Sequence, residues 1–123
     1  MTKKVIVAED MESLRTMYSL YLGHIRGLEY DLCKNGEELL EKIKNTKYDL
    51  VLTDNNMGYG INGIGVVKEI RKTNNSIPIY VISGDEIEPE ALQAGATGYI
   101  SKPEGIGKFF KQLSEGKIIA DYK

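Results

Sequence analysis

Hydrophobic and polar positions form blocks of two kinds along this chain. The first kind is an unbroken apolar run cut off by polar residues: Val5-Ile6-Val7-Ala8, Leu50-Val51-Leu52 and Ile77-Pro78-Ile79-Tyr80-Val81-Ile82. Such runs fit strands buried on both faces, as in a parallel sheet. Two more segments, Glu29 to Lys34 and Gly98-Tyr99-Ile100-Ser101, fit a second and a fifth strand.

The second kind has helical spacing. From Met11 to Ile25 the apolar residues Leu14, Met17, Tyr18, Tyr21 and Ile25 make one amphipathic stripe, and Gly27 is the stop signal. Asn35 is placed to cap a second helix, with Glu38 three residues on and Leu39, Leu40 and Ile43 behind. A third helix runs from about Gly63 to Lys72 and carries Val66, Val67 and Ile70. Pro89 to Gln93 is a short fourth helix beginning with proline, as a first turn allows. Ile106, Phe109, Phe110 and Leu113 fall on one face of a last helix. Strands and helices thus alternate five times, which predicts a doubly wound α/β domain, (βα)5, with a five-stranded parallel sheet of order 2-1-3-4-5.

Composition narrows the partners. At 123 residues the chain can form one domain with its own core but not two ordinary ones, so residues 1–123 are expected to be a single domain. Its core is expected over about 3–115, with 116–123 as helix extension, frayed tail or linker stub. A hydrophobic share of 41% and a charged share of 28% suit a globular protein. The formal charge of −2 provides no electrostatic reason for nucleic-acid or membrane binding. No apolar run approaches the ~20 residues a bilayer requires, and the first run is too short for a signal peptide. The cytoplasm is therefore the expected location. The single Cys33 reads as an inert thiol buried in a strand, and His24 as a helix-end residue without a second metal ligand nearby.

The chemistry gathers at the expected C-terminal ends of the strands, where open α/β sheets bind ligands. Glu9-Asp10 follow the first strand, Asp54 ends the third within the stretch YDLVLTDNNM, Ser83 follows the fourth and Lys102 the fifth. Any one of these could be a cap or a turn residue. Together they bring three carboxylates into one shallow cleft, and like charges there call for a cation between them. Few hard oxygen ligands suit Mg²⁺. A carboxylate flanked by a metal, an ammonium and a hydroxyl is arranged to attack phosphorus and stabilise charge on equatorial oxygens.

This set resembles the response regulator receiver domain of two-component signalling: Glu9-Asp10, Asp54 with Met57 three later, Ser83-Gly84, and Lys102-Pro103 preceded by Tyr99. The likeness spans about residues 3 to 115. It implies a CheY-like, flavodoxin-like fold in which Asp54 accepts a phosphoryl group from a sensor histidine kinase or phosphotransfer protein. Asp10, Asp54 and the backbone carbonyl of Asn56 would hold Mg²⁺, with Glu9 assisting through water. Lys102 would pair with phosphoryl oxygens, Ser83 would move to hydrogen-bond them, and Tyr99 would change rotamer with it. A cis Lys102-Pro103 bond is implied as well. Phosphorylation would switch a protein-interaction surface toward a downstream protein that the sequence does not name. The domain itself would bind neither nucleic acid nor membrane and would catalyse only its own phosphorylation and dephosphorylation.

Three departures from that family's pattern stand out. Gly58 occupies the place usually held by proline, and a glycine-rich loop, expected to be mobile, follows. The segment between Ser83 and Lys102 is about three residues short, so the fourth helix should be stubby and the usual dimer through it is not expected. Asn56 and Asp85, each two residues past a site residue, hint at a short-lived phosphorylated state. The chain is either a stand-alone receiver or part of a longer regulator. The alternatives are a pseudo-receiver that binds partners without phosphorylation and a metal-dependent phosphoryl-transfer enzyme. The latter would need an acid-x-acid pair, which Asp10-Met11-Glu12 only weakly imitates.

Overall fold

The structure is a computed structural model and describes residues 2–119. Five strands alternate with five helices: β1 (Lys3–Ala8), α1 (Glu12–Gly23), β2 (Leu28–Cys33), α2 (Gly36–Asn45), β3 (Leu50–Asp54), α3 (Gly63–Arg71), β4 (Ile79–Ser83), α4 (Glu88–Ala94), β5 (Gly98–Ser101) and α5 (Glu104–Ser114). All strand pairs are parallel and the sheet order is β2-β1-β3-β4-β5. The expected (βα)5 architecture and strand order are both present.

Side chains alternate across a strand, so each unbroken apolar run supplies two cores. Ile6, Ala8, Val51, Ile79 and Val81 point to one face, where Leu39 of α2, Val66, Val67 and Ile70 of α3, and Ala91 of α4 cover them. Val5, Val7, Leu50, Leu52 and Ile82 point to the other, against Tyr18 and Leu22 of α1 and Ile106, Phe109, Phe110 and Leu113 of α5. Burying an aliphatic side chain of this size contributes about 1.5–3 kcal/mol. The central strands β1 and β3, apolar on both faces, are thereby the best-anchored parts of the sheet.

Boundaries moved for local reasons. The first helix stops at Gly23, short of Ile25, and the His24 ring nitrogen Nδ1 lies 2.6 Å from the Leu20 carbonyl oxygen. The chain then turns through Gly27 at φ 83°, whose carbonyl accepts from the Lys3 amide at 3.0 Å. Strand β4 begins after Pro78, which has no amide hydrogen for the ladder. Asn35 caps α2 by accepting from the Glu38 amide at 2.8 Å, but the return bond from Glu38 reaches the Lys34 amide, one residue earlier than a capping box requires. The fourth helix has seven residues and starts at Glu88, one residue before the proline.

Of the expected tail, Lys117 and Gly116 donate to the carbonyls of Gln112 and Leu113, with Gly116 at φ 77°. This Schellman turn sends Ile118 and Ile119 back onto the α1/α5 core, where Ile119 is buried. Residues 120–123 of that tail, and Met1, lie outside the described residues.

Candidate functional site

The parallel register aligns the upper ends of the strands. Ala8 pairs with Thr53 and Asp54 with Ile82, so β1, β3 and β4 end at similar heights. Beyond the strands, the Glu9 amide donates to the Cys33 carbonyl and the Asn55 amide to the Ile82 carbonyl, both at 2.9 Å. Asp54 has the same parity as Leu50 and Leu52 and therefore points to the α1/α5 side. It is 3% exposed and Glu9 is 1% exposed, whereas Asp10 lies open at the surface.

One carboxylate oxygen from each of Glu9, Asp10 and Asp54 lies within 4.8 Å of the others. Lys102, whose amide is held by the Ser83 carbonyl at 2.9 Å, reaches in from the end of β5. Its Nζ sits 2.5 Å from Asp54 Oδ1 and 3.5 Å from Glu9 Oε1. The Lys102-Pro103 peptide is cis. Residues separated by most of the chain thus meet in one cleft.

The electrostatics follow from crowding and burial. Burial first, and then the Asp54 charge, push the Glu9 carboxyl up to about 7, although Lys102 and the Met11 amide pull the other way. Burial also raises Asp54 above the usual carboxylate range, against the hydrogen bond and charge of Lys102. For Lys102, burial works to lower the ammonium, but the Asp54 hydrogen bond and the charges of Asp54 and Glu9 outweigh it. One ammonium therefore faces three carboxylates, two of them stripped of water. Such a donor set, all hard oxygen and short of positive charge, fits Mg²⁺.

Ser83, Tyr99 and Asn56 form a second group around the end of β4, which lies between β3 and β5. Ser83, 2% exposed, accepts the Asp85 amide on its Oγ at 2.9 Å. Tyr99 donates its hydroxyl to the Ser83 carbonyl at 3.0 Å and also to the Asp85 carbonyl. The Asn56 side-chain amide donates to Asp85 Oδ2 at 3.0 Å. In this state the Ser83 hydroxyl is engaged by its own loop, while the carboxylate–lysine cluster stands beside it.

The supporting residues were less legible. Arg15 donates to the carbonyls of Glu9 at 2.9 Å and Asp10 at 2.8 Å, tying α1 to the loop that carries both acids. Its signal was a cation near a helix start, where the dipole disfavours one. Asn55 accepts the Ile64 amide on Oδ1 at 3.1 Å, joining the residue after Asp54 to the start of α3. Gly63 makes this approach possible, since a Cβ there would lie 2.7 Å from the Asp54 carbonyl oxygen. At its far end the glycine-rich loop meets α2, where the Glu37 carboxylate accepts the Ile61 amide at 2.8 Å.

A parallel sheet of this order, closed by a helix after every strand and bearing acids and a lysine at its upper edge, defines a CheY-like receiver fold. The chain belongs to the response regulator receiver domain family, whose family model matches residues 5–114. Relatives include the transcriptional regulatory protein ZraR of Klebsiella oxytoca, 34% identical over 90% of this chain and 25% of that protein. The response regulator GacA of Pseudomonas syringae is 32% identical over 89% of this chain and 53% of that protein. The chain thus spans between a quarter and about half of these curated relatives. Among solved structures, chemotaxis response regulator CheY4 of Vibrio cholerae is similar with a TM-score of 0.83 and 28% identity, covering 94% of this chain and 98% of that one. TrrA of Thermotoga maritima in complex with Mg²⁺-BeF has a TM-score of 0.81 and 28% identity, covering 93% and 98%.

Proposed function

We propose that this receiver domain accepts a phosphoryl group on Asp54 from a sensor histidine kinase or phosphotransfer protein. The observation that carries the reading is the environment of Asp54: buried at the end of β3, with Lys102 Nζ at 2.5 Å and acidic oxygens from Glu9 and Asp10 close by. An Asp54 oxygen attacks phosphorus, the bond from phosphorus to the donor nitrogen breaks, and the departing imidazole takes up a proton. Lys102 is placed to pair with the phosphoryl oxygens as charge develops on them.

Asp10, Asp54 and the Asn56 carbonyl are the proposed Mg²⁺ ligands, with Glu9 assisting through water. When bound, Mg²⁺ supplies positive charge to the oxygens of the transferring group. Arg15 holds the acid-bearing loop, and the buried walls around Asp54 limit access of water.

Ser83 and Tyr99 are the proposed switch. Ser83 Oγ now accepts the Asp85 amide; movement of the side chain to donate its hydroxyl to a phosphoryl oxygen would break that bond and free the loop that Tyr99 and Asn56 now clasp. That rearrangement would change a protein-interaction surface for a downstream protein, with no nucleic-acid or membrane contact by residues 3–115. The chain acts as a phosphoacceptor in the cytoplasm and not as an enzyme on a separate substrate. Among the described residues, no helix is long and apolar enough to cross a membrane.

The test is incubation with Mg²⁺ and acetyl phosphate, read by intact mass. One phosphoryl gain that is abolished by Asp54→Ala is expected. No gain, or a gain that survives Asp54→Ala, overturns the reading in favour of a pseudo-receiver or a different site.

A further inference from the structure

Among the described residues, one buried side-chain polar atom has no hydrogen-bond partner: the hydroxyl of Tyr18. Tyr18 is fully buried on α1, its ring 6.0 Å from that of Phe110 on α5. A buried hydroxyl is costly to leave unpaired, and native structures almost always satisfy it. A phenylalanine would fill the same apolar volume without that cost. The hydroxyl therefore calls for an account that packing alone does not provide.

Its surroundings supply one. Tyr18 packs in the cluster of Val5, Val7, Leu50 and Leu52, on the α1/α5 side of the sheet. Continuing the alternation along β1 and β3 carries Glu9 and Asp54 to that same side. Tyr18 thus packs on the face of the sheet from which Glu9 and Asp54 extend, and after burial the Glu9 and Asp54 charges are what hold the proton on its hydroxyl. Arg15, one turn earlier on α1, already grips the Glu9 and Asp10 carbonyls from the same helix. On its other side Glu9 meets Lys102 at 3.5 Å and the Met11 amide at 3.3 Å, both long contacts that leave the carboxylate short of donors.

We propose that Tyr18 is a positioning residue of the acidic site, its hydroxyl holding the Glu9 carboxylate from the buried side through one bridging water. The hydroxyl makes no direct hydrogen bond to Glu9, so the link requires a water, which would take the Tyr18 hydroxyl as donor and the Glu9 carboxylate as acceptor. The role of Glu9 toward Mg²⁺ rests on the receiver reading above; the link between Tyr18 and Glu9 does not.

The experiment is a carbon-13 spectrum of protein labelled at tyrosine Cζ, recorded without metal. The Tyr18 resonance is assigned through sequential backbone spectra and compared with the same resonance in Glu9→Gln. A resolved shift of Tyr18, with the more distant tyrosines unmoved, is expected. Calorimetric titration of Tyr18→Phe with Mg²⁺ should show measurably weakened affinity, by less than the about tenfold that loss of a group bonded directly to a metal ligand costs, at an unchanged or higher thermal midpoint. A Tyr18 resonance indifferent to Glu9→Gln, or unchanged Mg²⁺ affinity in folded Tyr18→Phe, overturns the proposal. Should Tyr18→Phe fail to fold, the spectrum of Glu9→Gln decides alone. If Asp54 takes no phosphoryl group while Tyr18 still follows Glu9, the receiver reading fails and this inference stands.

Discussion

The side-chain amide of Asn56 donates to the Asp85 carboxylate at 3.0 Å, joining the segment after β3 to the loop after β4 at the mouth of the cleft. Asn56 stands two residues past Asp54, and Asp85 two past Ser83. Their contact places an anion beside the proposed phosphoryl site, where it can orient an attacking water. Asp85→Ala should therefore lengthen the life of phosphorylated Asp54 several-fold. The check is decay of the phosphoryl mass after the phosphodonor is removed; an unchanged half-life sinks the idea.

Metal binding should stabilise the fold by mass action. A ligand at a hundred times its dissociation constant adds about 2.7 kcal/mol. Urea unfolding with saturating Mg²⁺ and then with a chelator should show a gap of that order. Asp10→Asn removes an exposed carboxylate of the cluster and should close most of it. A gap of the same size in Asp10→Asn would place the metal elsewhere.

Gly63 lies where α3 starts against the end of β3. A Cβ there would stand 2.7 Å from the Asp54 carbonyl oxygen and 2.9 Å from Asn55 Cα, backbone atoms that move only with the strand. Gly63→Ala should cost about 1–3 kcal/mol in urea unfolding, and by shifting Asp54 it should also slow phosphorylation. Full stability in the variant would mean that β3 yields more readily than its packing suggests.

Helix α4 has seven residues, Glu88–Ala94, and is the shortest of the five. Two turns offer little surface for the dimer that receivers often build on this helix, β5 and α5. Light scattering of the phosphorylated protein should give a monomer mass, or a dimer insensitive to substitution of the exposed Leu92. A phosphorylation-dependent dimer broken by Leu92→Glu would overturn this.

Cys33 is buried at the end of β2, and burial pushes its thiol up to about 12. A thiol ordinarily ionises near 8.5, so between that pH and about 12 the folded protein holds a proton that the unfolded chain has lost. This contribution to stability is complete below that window and falls away as pH rises through it. At pH 8 iodoacetamide should leave Cys33 untouched in the folded protein and alkylate it in urea. Rapid modification of the folded protein would mean that the strand end opens.

The sequence by itself determined the elements, their order and the identity of the acids and lysine. A central parallel strand must be apolar on both faces, so Leu50-Val51-Leu52 announced itself, and Asp54 was the charged residue that marked its end. What lies between elements was decided only in three dimensions. Nothing local to Arg15, Tyr18 or Asn56 shows that the first binds the Glu9 and Asp10 carbonyls, the second packs with Val7 and Leu52 on the face that Glu9 and Asp54 share, and the third meets Asp85 across the cleft. These contacts join residues on different strands and helices, and the packing of α1 and the loops against the sheet sets their distances. Hydrophobic periodicity reports which face a residue turns inward, but not which polar group it meets there.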